Sequence, residues 1–319
     1  AIRPETRQRV QALARKYRYR PNHQARNLRL RKTHCVAMIL PELRNTLYAE
    51  KLDLVSHLCR QEGYEVAFSC TRWDTRTEQE ICLHFLAQQV DAVIFACVSS
   101  RSLDFIQPFL EEGKPVCVIG RVPELLPGLT VITPRQEEGY YAATRHLLDL
   151  GHRHLGLVGI SMKKELHPQR IAGIRRGLAE AHLGMDEVIS IPSDGDHLDS
   201  GFAAVNRFIE VAGREALPSA LLAVNDHVAV GAMAALDAHG ARVPDDVSVV
   251  GCDDVELSRF ARPPLTTISQ ETASVSRLAA KLVLEQLRKG QPETQHVATD
   301  MVLKVRRSTG PTPEHMNHG

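Results

Sequence analysis

The sequence predicts an α/β fold of two doubly wound parallel-sheet lobes. Three observations carry this reading. Short apolar runs alternate with helical patterns along most of the chain. The runs are apolar at nearly every position rather than at every second one, as strands buried on both faces require. There are also more such units than one open sheet of one domain usually holds.

In chain order, the first runs are Cys35–Leu40, Glu65–Cys70, 92–96 and Val116–Ile119, with helical patterns between them at 48–63, 75–89 and 102–113. The rhythm resumes with 155–159, 188–191, 220–224 and 247–251, separated by helical patterns at 137–150, 168–183, 198–212 and 226–240. The boundary between lobes is placed near 149–154. Parallel sheets bind ligands beyond the carboxyl ends of their strands, so two facing lobes should enclose a cleft.

Size and composition agree. The chain has 319 residues, 43% of them hydrophobic and 24% charged. This balance supplies ample core and excludes a disordered, collagenous or disulfide-stapled chain. The longest apolar runs fall far below the ~20 residues of a membrane span. The seven cysteines are odd in number, show no C-x-x-C spacing and lie mostly in apolar surroundings. With no secretory leader opening the sequence, the expectation is a cytoplasmic protein with reduced core thiols.

The net charge of +1 hides an asymmetry. Residues 1–32 hold eleven Lys and Arg against one acid, Glu5, for a net +10, while the remainder nets −9. A basic arm on an acidic body points to an arm that meets phosphate. Within it, Pro4 suits a first helical position, and Val10, Leu13, Ala14 and Tyr17 recur at helical spacing. Tyr19-Arg20-Pro21-Asn22 breaks that helix, and Asn22 is an N-cap for a second short one reaching about Leu30. The second segment has too little apolar surface to be stable alone.

These residues carry a resemblance. YRPNHQARNLR (19–29) resembles the hinge of the LacI/GalR family of bacterial transcription regulators. GYYAATRHLLDLGHRHLGLVG (139–159), QRIAGIRRGL (169–178) and ALLAVNDHVAVGAMAALDAHGARVPDDVSVVGCDD (220–254) are similar to further family elements. PPLTTISQ (263–270), SRLAAKLVLEQL (276–287) and LKVRRST (303–309) continue the match. Each motif alone is weak; all of them in order are specific.

The resemblance implies a periplasmic-binding-protein-like core of type I, crossed between lobes near 150, 268–271 and 298–300. It implies a partial headpiece helix and hinge helix at 1–32. The N-terminal lobe would hold 34–149 plus 271–298, and the C-terminal lobe 150–268 plus 300–309. Residues 310–319 read as a disordered tail. No helix-turn-helix precedes Pro4, so operator DNA is expected to bind only with that headpiece restored. The implied protein is a ligand-responsive DNA-binding transcriptional regulator, most simply a repressor, working as a homodimer with a sugar-like effector and no cofactor. The tail has no heptad leucines for a coiled coil.

Candidate residues follow from the same likeness. Leu28 matches the hinge leucine that wedges into the minor groove, with Asn22, Ala25, Arg26 and Arg29 in or beside it. Asp253 and Arg170 match effector-binding residues: a carboxylate accepts from hydroxyls, and a guanidinium offers a rigid fork of donors. Asn225 serves equally as a helix cap or a ligand contact. His197 occupies a position where some relatives put an aromatic over a ligand ring. Leu47, Tyr48, Trp73 and Arg121 follow first-lobe strands, where Tyr48 and Trp73 either meet ligand or pack the lobe. Arg135-Gln136 departs from the Asp-Asn of many relatives and removes a negative charge near the cleft or dimer face.

Other constellations are weak. His152 and His154 belong to a structural Gly-His turn, so no metal site is expected. Gly156–Gly159 lacks dinucleotide spacing, and no Ser/His/Asp order has nucleophile-elbow context. Three function classes stay open: a ligand-gated regulator, a periplasmic sugar-binding protein on the same core, and an α/β enzyme. The basic arm disfavours the second, and the lack of a catalytic constellation disfavours the third.

Overall fold

The structure, a computed structural model, describes residues 3–17, 32–98, 101–161 and 167–313. The hinge candidates Asn22, Ala25, Arg26, Leu28 and Arg29 lie outside the described residues. Helix α1 (Pro4–Lys16) forms in the arm as expected, with Val10, Leu13 and Tyr17 exposed.

The first sheet contains β1 (Cys35–Leu40), β2 (Glu65–Cys70), β3 (Ala92–Phe95), β4 (Val116–Ile119), β5 (Leu129–Pro134) and β11 (Gln295–Thr299). Its order is β11-β5-β4-β3-β1-β2, parallel throughout. Helices α2 (Thr46–Gln61) and α10 (Thr272–Lys289) cover one face. Helices α3 (Thr75–Ala87) and α4 (Ser102–Glu111) cover the other. Two separate cores result, which is why β1, β3 and β4 are apolar at every position.

The second sheet repeats the plan. It contains β6 (Leu155–Val158), β7 (Ile189–Ile191), β8 (Ala220–Ala223), β9 (Ser248–Asp253), β10 (Thr266–Ser269) and β12 (Val302–Lys304). The order is β12-β10-β9-β8-β6-β7, parallel except for the β10/β12 pair. Helices α5 (Gln136–Asp149) and α6 (Pro168–Ala179) pack on one face, and α7 (Leu198–Ala212) and α8 (Asp226–Ala238) on the other. The short α9 (Glu256–Phe260) follows β9. No helix among the described residues is long and apolar enough to cross a membrane.

Three connections pass between the sheets: β5 to α5, β10 to α10, and β11 to β12. The first lies at 134–136, not near 150 as expected. The reason is packing. Tyr140, Ala143, Leu147 and Leu148 of α5 share a core with Leu155, Leu157, Ile171 and Ile174 of the second sheet and its helix α6. Gly173 permits the close approach, since a Cβ there would stand 2.2 Å from the Glu137 carbonyl oxygen.

The tail also begins later than expected. Gly310 N–H donates to Ser248 Oγ at 3.0 Å, and Thr312 N–H to the Leu150 carbonyl at 2.9 Å. Residues 314–319 lie outside the described residues. All seven cysteines are free thiols, and burial pushes Cys59 up to about 11 and Cys82 and Cys117 up to about 12.

Candidate functional site

In each sheet the strand order reverses beside its first strand, at β1/β3 and at β6/β8. Loops leaving such a switch point diverge and open a crevice. The two crevices meet. Asn45 Nδ2 donates to Asp253 Oδ2 across the lobes at 3.4 Å. His197 Nε2 lies 3.2 Å from Glu42 Oε2, and Arg44 lies 3.6 Å from Asp199 at the solvent edge.

Asp253 is the centre of this cleft. It ends β9, is only 5% exposed, and has φ +116°. Asp254 follows at φ +58°. Two successive non-glycine residues in this region store backbone strain, which persists only where surrounding bonds fix it. The fixing bonds are present. Buried Asp226 accepts Val255 N–H at 2.9 Å on one oxygen and the Thr267 hydroxyl on the other. Arg306 bonds Asp254 and the Leu265 carbonyl. Gln270 Nε2 donates to Asp253 Oδ1 at 2.6 Å. Burial pushes the Asp253 carboxyl above its usual range, opposed by the positive charges of Arg170 and Lys51. Burial and the neighbouring Asp253 push Asp226 up as well.

Arg170 lies on α6 just after Pro168, which starts the helix at a position that needs no N–H. Its Nε donates to Gln136 Oε1 at 3.1 Å, and its Nη1 to Tyr140 Oη at 3.0 Å and the Val224 carbonyl at 2.6 Å. The guanidinium is therefore held in one orientation by α5 and the end of β8. The unusual Arg135-Gln136 pair is explained here. Gln136 braces Arg170, while Arg135 turns away to Asp300 at 2.7 Å, bridging two of the inter-lobe connections.

The remaining expected residues divide. Asn225 is buried and structural in both its bonds: Oδ1 caps α8 at Val228 N–H, and Nδ2 donates to the Asp196 carbonyl at 2.8 Å. Tyr48 is buried in the first-lobe core, with Lys51 Nζ 5.5 Å over its ring and Trp73 edge-on at 6.3 Å. Trp73 is 54% exposed and walls a small recess with Pro41, Thr71, Cys97 and Val98. Leu47 is core, not cleft: its backbone N–H donates to the capping Asn45 Oδ1 at 3.0 Å, and its side chain packs in the core shared with α10. Arg121 is exposed beyond β4, and among the described residues no bond ties it to Asp253. His197 meets Glu42 rather than standing as an open stacking surface.

Sequence reasoning missed Asn45, Lys51, Glu42 and Gln270. One signal was available: Lys51 falls on the stripe of Leu47, Tyr48, Val55 and Cys59, so a lone lysine occupies an otherwise apolar helix face. The donor atoms of Glu42, Asp196 and His197 lie within 4.8 Å of one another, a set able in principle to hold a metal ion.

A periplasmic binding protein-like domain model matches residues 144–309. The transcriptional repressor PurR of Mannheimia succiniciproducens is 30% identical over 310 residues, covering 96% of this chain and 90% of that protein. A LacI-family transcriptional regulator of Sanguibacter keddieii superposes with a TM-score of 0.75 at 27% identity, covering 86% of this chain and 99% of that one. The chain belongs to the LacI family of transcription regulators. A further solved structure, the regulator CelR in complex with cellobiose, has a TM-score of 0.72 at 26% identity and covers 96% of this chain and 91% of that one. In this LacI-family chain the six-stranded lobes, the reversal at β1 and β6 and the buried Asp253 thus form one structural unit.

Proposed function

We propose that this LacI-family regulator binds a small hydroxyl-rich effector, of sugar type, between its lobes, and that the effector controls operator binding. The observation that carries the reading is Asp253: a strained, buried carboxylate at the end of β9, reached from the opposite lobe by Asn45 and flanked by Arg170 and Lys51. A carboxylate accepts paired sugar hydroxyls, and an oriented guanidinium donates to ring or hydroxyl oxygens. The likeness to CelR, solved with cellobiose, supports a sugar-type ligand. Because both lobes supply groups, a bound effector favours one lobe arrangement, and that differential affinity is what transmits a signal to DNA.

The basic segment 1–32 is the part of the chain suited to operator phosphates. The regulator acts as a homodimer in the cytoplasm.

A thermal-shift screen of neutral sugars, sugar acids, sugar phosphates and nucleobases tests the reading. A ligand at about 100 times its dissociation constant should stabilise the fold by ~2.7 kcal/mol. A hit among neutral sugars that also alters an operator mobility shift supports the proposal. A response confined to nucleobases would replace it.

A further inference from the structure

Helix α2 carries a lysine where its pattern calls for an apolar side chain. Lys51 shares the buried face of Leu47, Tyr48, Val55 and Cys59 and is itself only 3% exposed. Its Nζ stands 5.5 Å from the centre of the Tyr48 ring. Among the described residues nothing accepts a hydrogen bond from Nζ and no carboxylate forms an ion pair with it. A ring face offsets only a small part of the cost of stripping water from an ammonium. Burial pulls the ammonium below the ordinary lysine range, and the charge of Asp253, at the end of β9 in the other lobe, opposes that pull most strongly.

Arg170 acts on the same carboxylate from the second lobe. Its Nε and Nη1 are committed to Gln136, Tyr140 and the Val224 carbonyl, and its Nη2 makes no bond among the described residues. Asp253 is itself engaged, since Gln270 Nε2 donates to one of its oxygens and Asn45 Nδ2 to the other. One carboxylate thus stands between two cations, one from each lobe, and both cations keep uncommitted N–H donors.

We propose that the effector is a sugar acid, and that Lys51 selects it by binding the carboxylate while Asp253 accepts from its hydroxyls. The inference rests on a sugar-type effector in this cleft and adds its charge. A buried ammonium needs an acceptor of opposite charge. A neutral sugar brings only hydroxyl dipoles, whereas a carboxylate brings two charged oxygens and makes the stronger bonds. Two cations against one carboxylate leave a single positive charge, which one further carboxylate balances. A phosphate monoester, at about −1.5 to −2, overshoots that balance. An acid held between Lys51 of α2 and Asp253 of β9 also ties the two lobes together, so the residue that selects the ligand helps to set the lobe arrangement.

Titration calorimetry of the full chain with matched ligands tests this. The probes are D-gluconate, D-galactonate, D-glucuronate and D-galacturonate, each set against the neutral hexose of the same configuration and that hexose's phosphate. At least one acid should bind wild type at least about tenfold more tightly than its neutral partner. Lys51→Met and Lys51→Gln are uncharged and of similar length. Both should weaken the acid about tenfold or more and leave binding of the neutral sugar within about threefold. Both should also unfold in urea at a midpoint no lower than wild type, because no hydrogen bond or ion pair of the folded chain is lost with the ammonium. A neutral sugar bound as tightly as its acid overturns the proposal and leaves the sugar-type reading standing. A preference for the phosphate, or an acid preference that survives in both Lys51 variants, does the same. A lower midpoint in both variants makes Lys51 a folding residue and overturns its role in selection. Binding of no sugar, acid or phosphate overturns both readings.

Discussion

At the residue scale, the cleft depends on a buried carboxylate that never faces it. Asp226 pins Val255 N–H and Thr267, and so holds Asp253 and Asp254 in their positive-φ conformations. Asp226→Asn can keep both bonds: its oxygen accepts from Val255 and its amide donates to the Thr267 hydroxyl. Asp226→Ala strands the Val255 N–H in a buried site, which costs about 1–3 kcal/mol. Urea unfolding should show a clear loss for alanine and a much smaller one for asparagine. Equal losses would mean that charge, not hydrogen bonding, sets the role of Asp226. Asp253 and Arg170 were legible in the sequence because each sits in a motif with fixed spacing. Glu42 and His197 were not legible as a pair. They are far apart in the chain, and only the meeting of two separate sheets brings them together.

At the element scale, most strands and helices follow from their apolar pattern, because a run such as β3, Ala-Val-Ile-Phe, has no polar face to expose. The edge strands β11 and β12 do not, since β11 has only Val297-Ala298 between Gln295-His296 and Thr299, and β12 is three residues long, too little apolar pattern to read as strand. Helix α5 shows the other limit. Its periodicity reveals an apolar face but not which sheet that face covers, and the face turns out to cover the second. The docking relies on Gly173, so Gly173→Ala must push α6 away from the Glu137 carbonyl. Overpacking of this kind costs about 1–3 kcal/mol. The same shift would move Gln136 and Tyr140, the braces of Arg170. Thermal unfolding should therefore show a lower midpoint for Gly173→Ala. An unchanged midpoint would show that the two helices separate freely.

At the scale of the whole molecule, acid should loosen the second lobe through His152. Its ring meets Ser219 and Ser248, each at 3.0 Å, and the Gly310 carbonyl, and burial pushes it down to about 4. An unfolded histidine titrates near ~6.5, so below that value the unfolded chain binds the extra proton. Stability contributed by neutral His152 is complete above ~6.5 and declines as pH falls toward about 4. His152→Gln should flatten that part of the stability curve, measured by urea titration at several pH values; an unaltered slope would remove His152 from the account. Asp226 and Asp253, raised by burial, work in the opposite sense and moderate the decline. Assembly belongs to this scale too. Light scattering should give about twice 35.4 kDa, and a monomer would contradict the homodimer.

The central claim is that Asp253 anchors a polar effector between the lobes. Titration calorimetry of a sugar found by the thermal screen, with wild type and Asp253→Asn side by side, tests it most directly. Losing a charged hydrogen-bond acceptor should weaken binding at least about tenfold, roughly 1.4 kcal/mol or more, while the variant unfolds as cooperatively as wild type. Equal affinity in the two proteins would place the effector elsewhere and contradict the account.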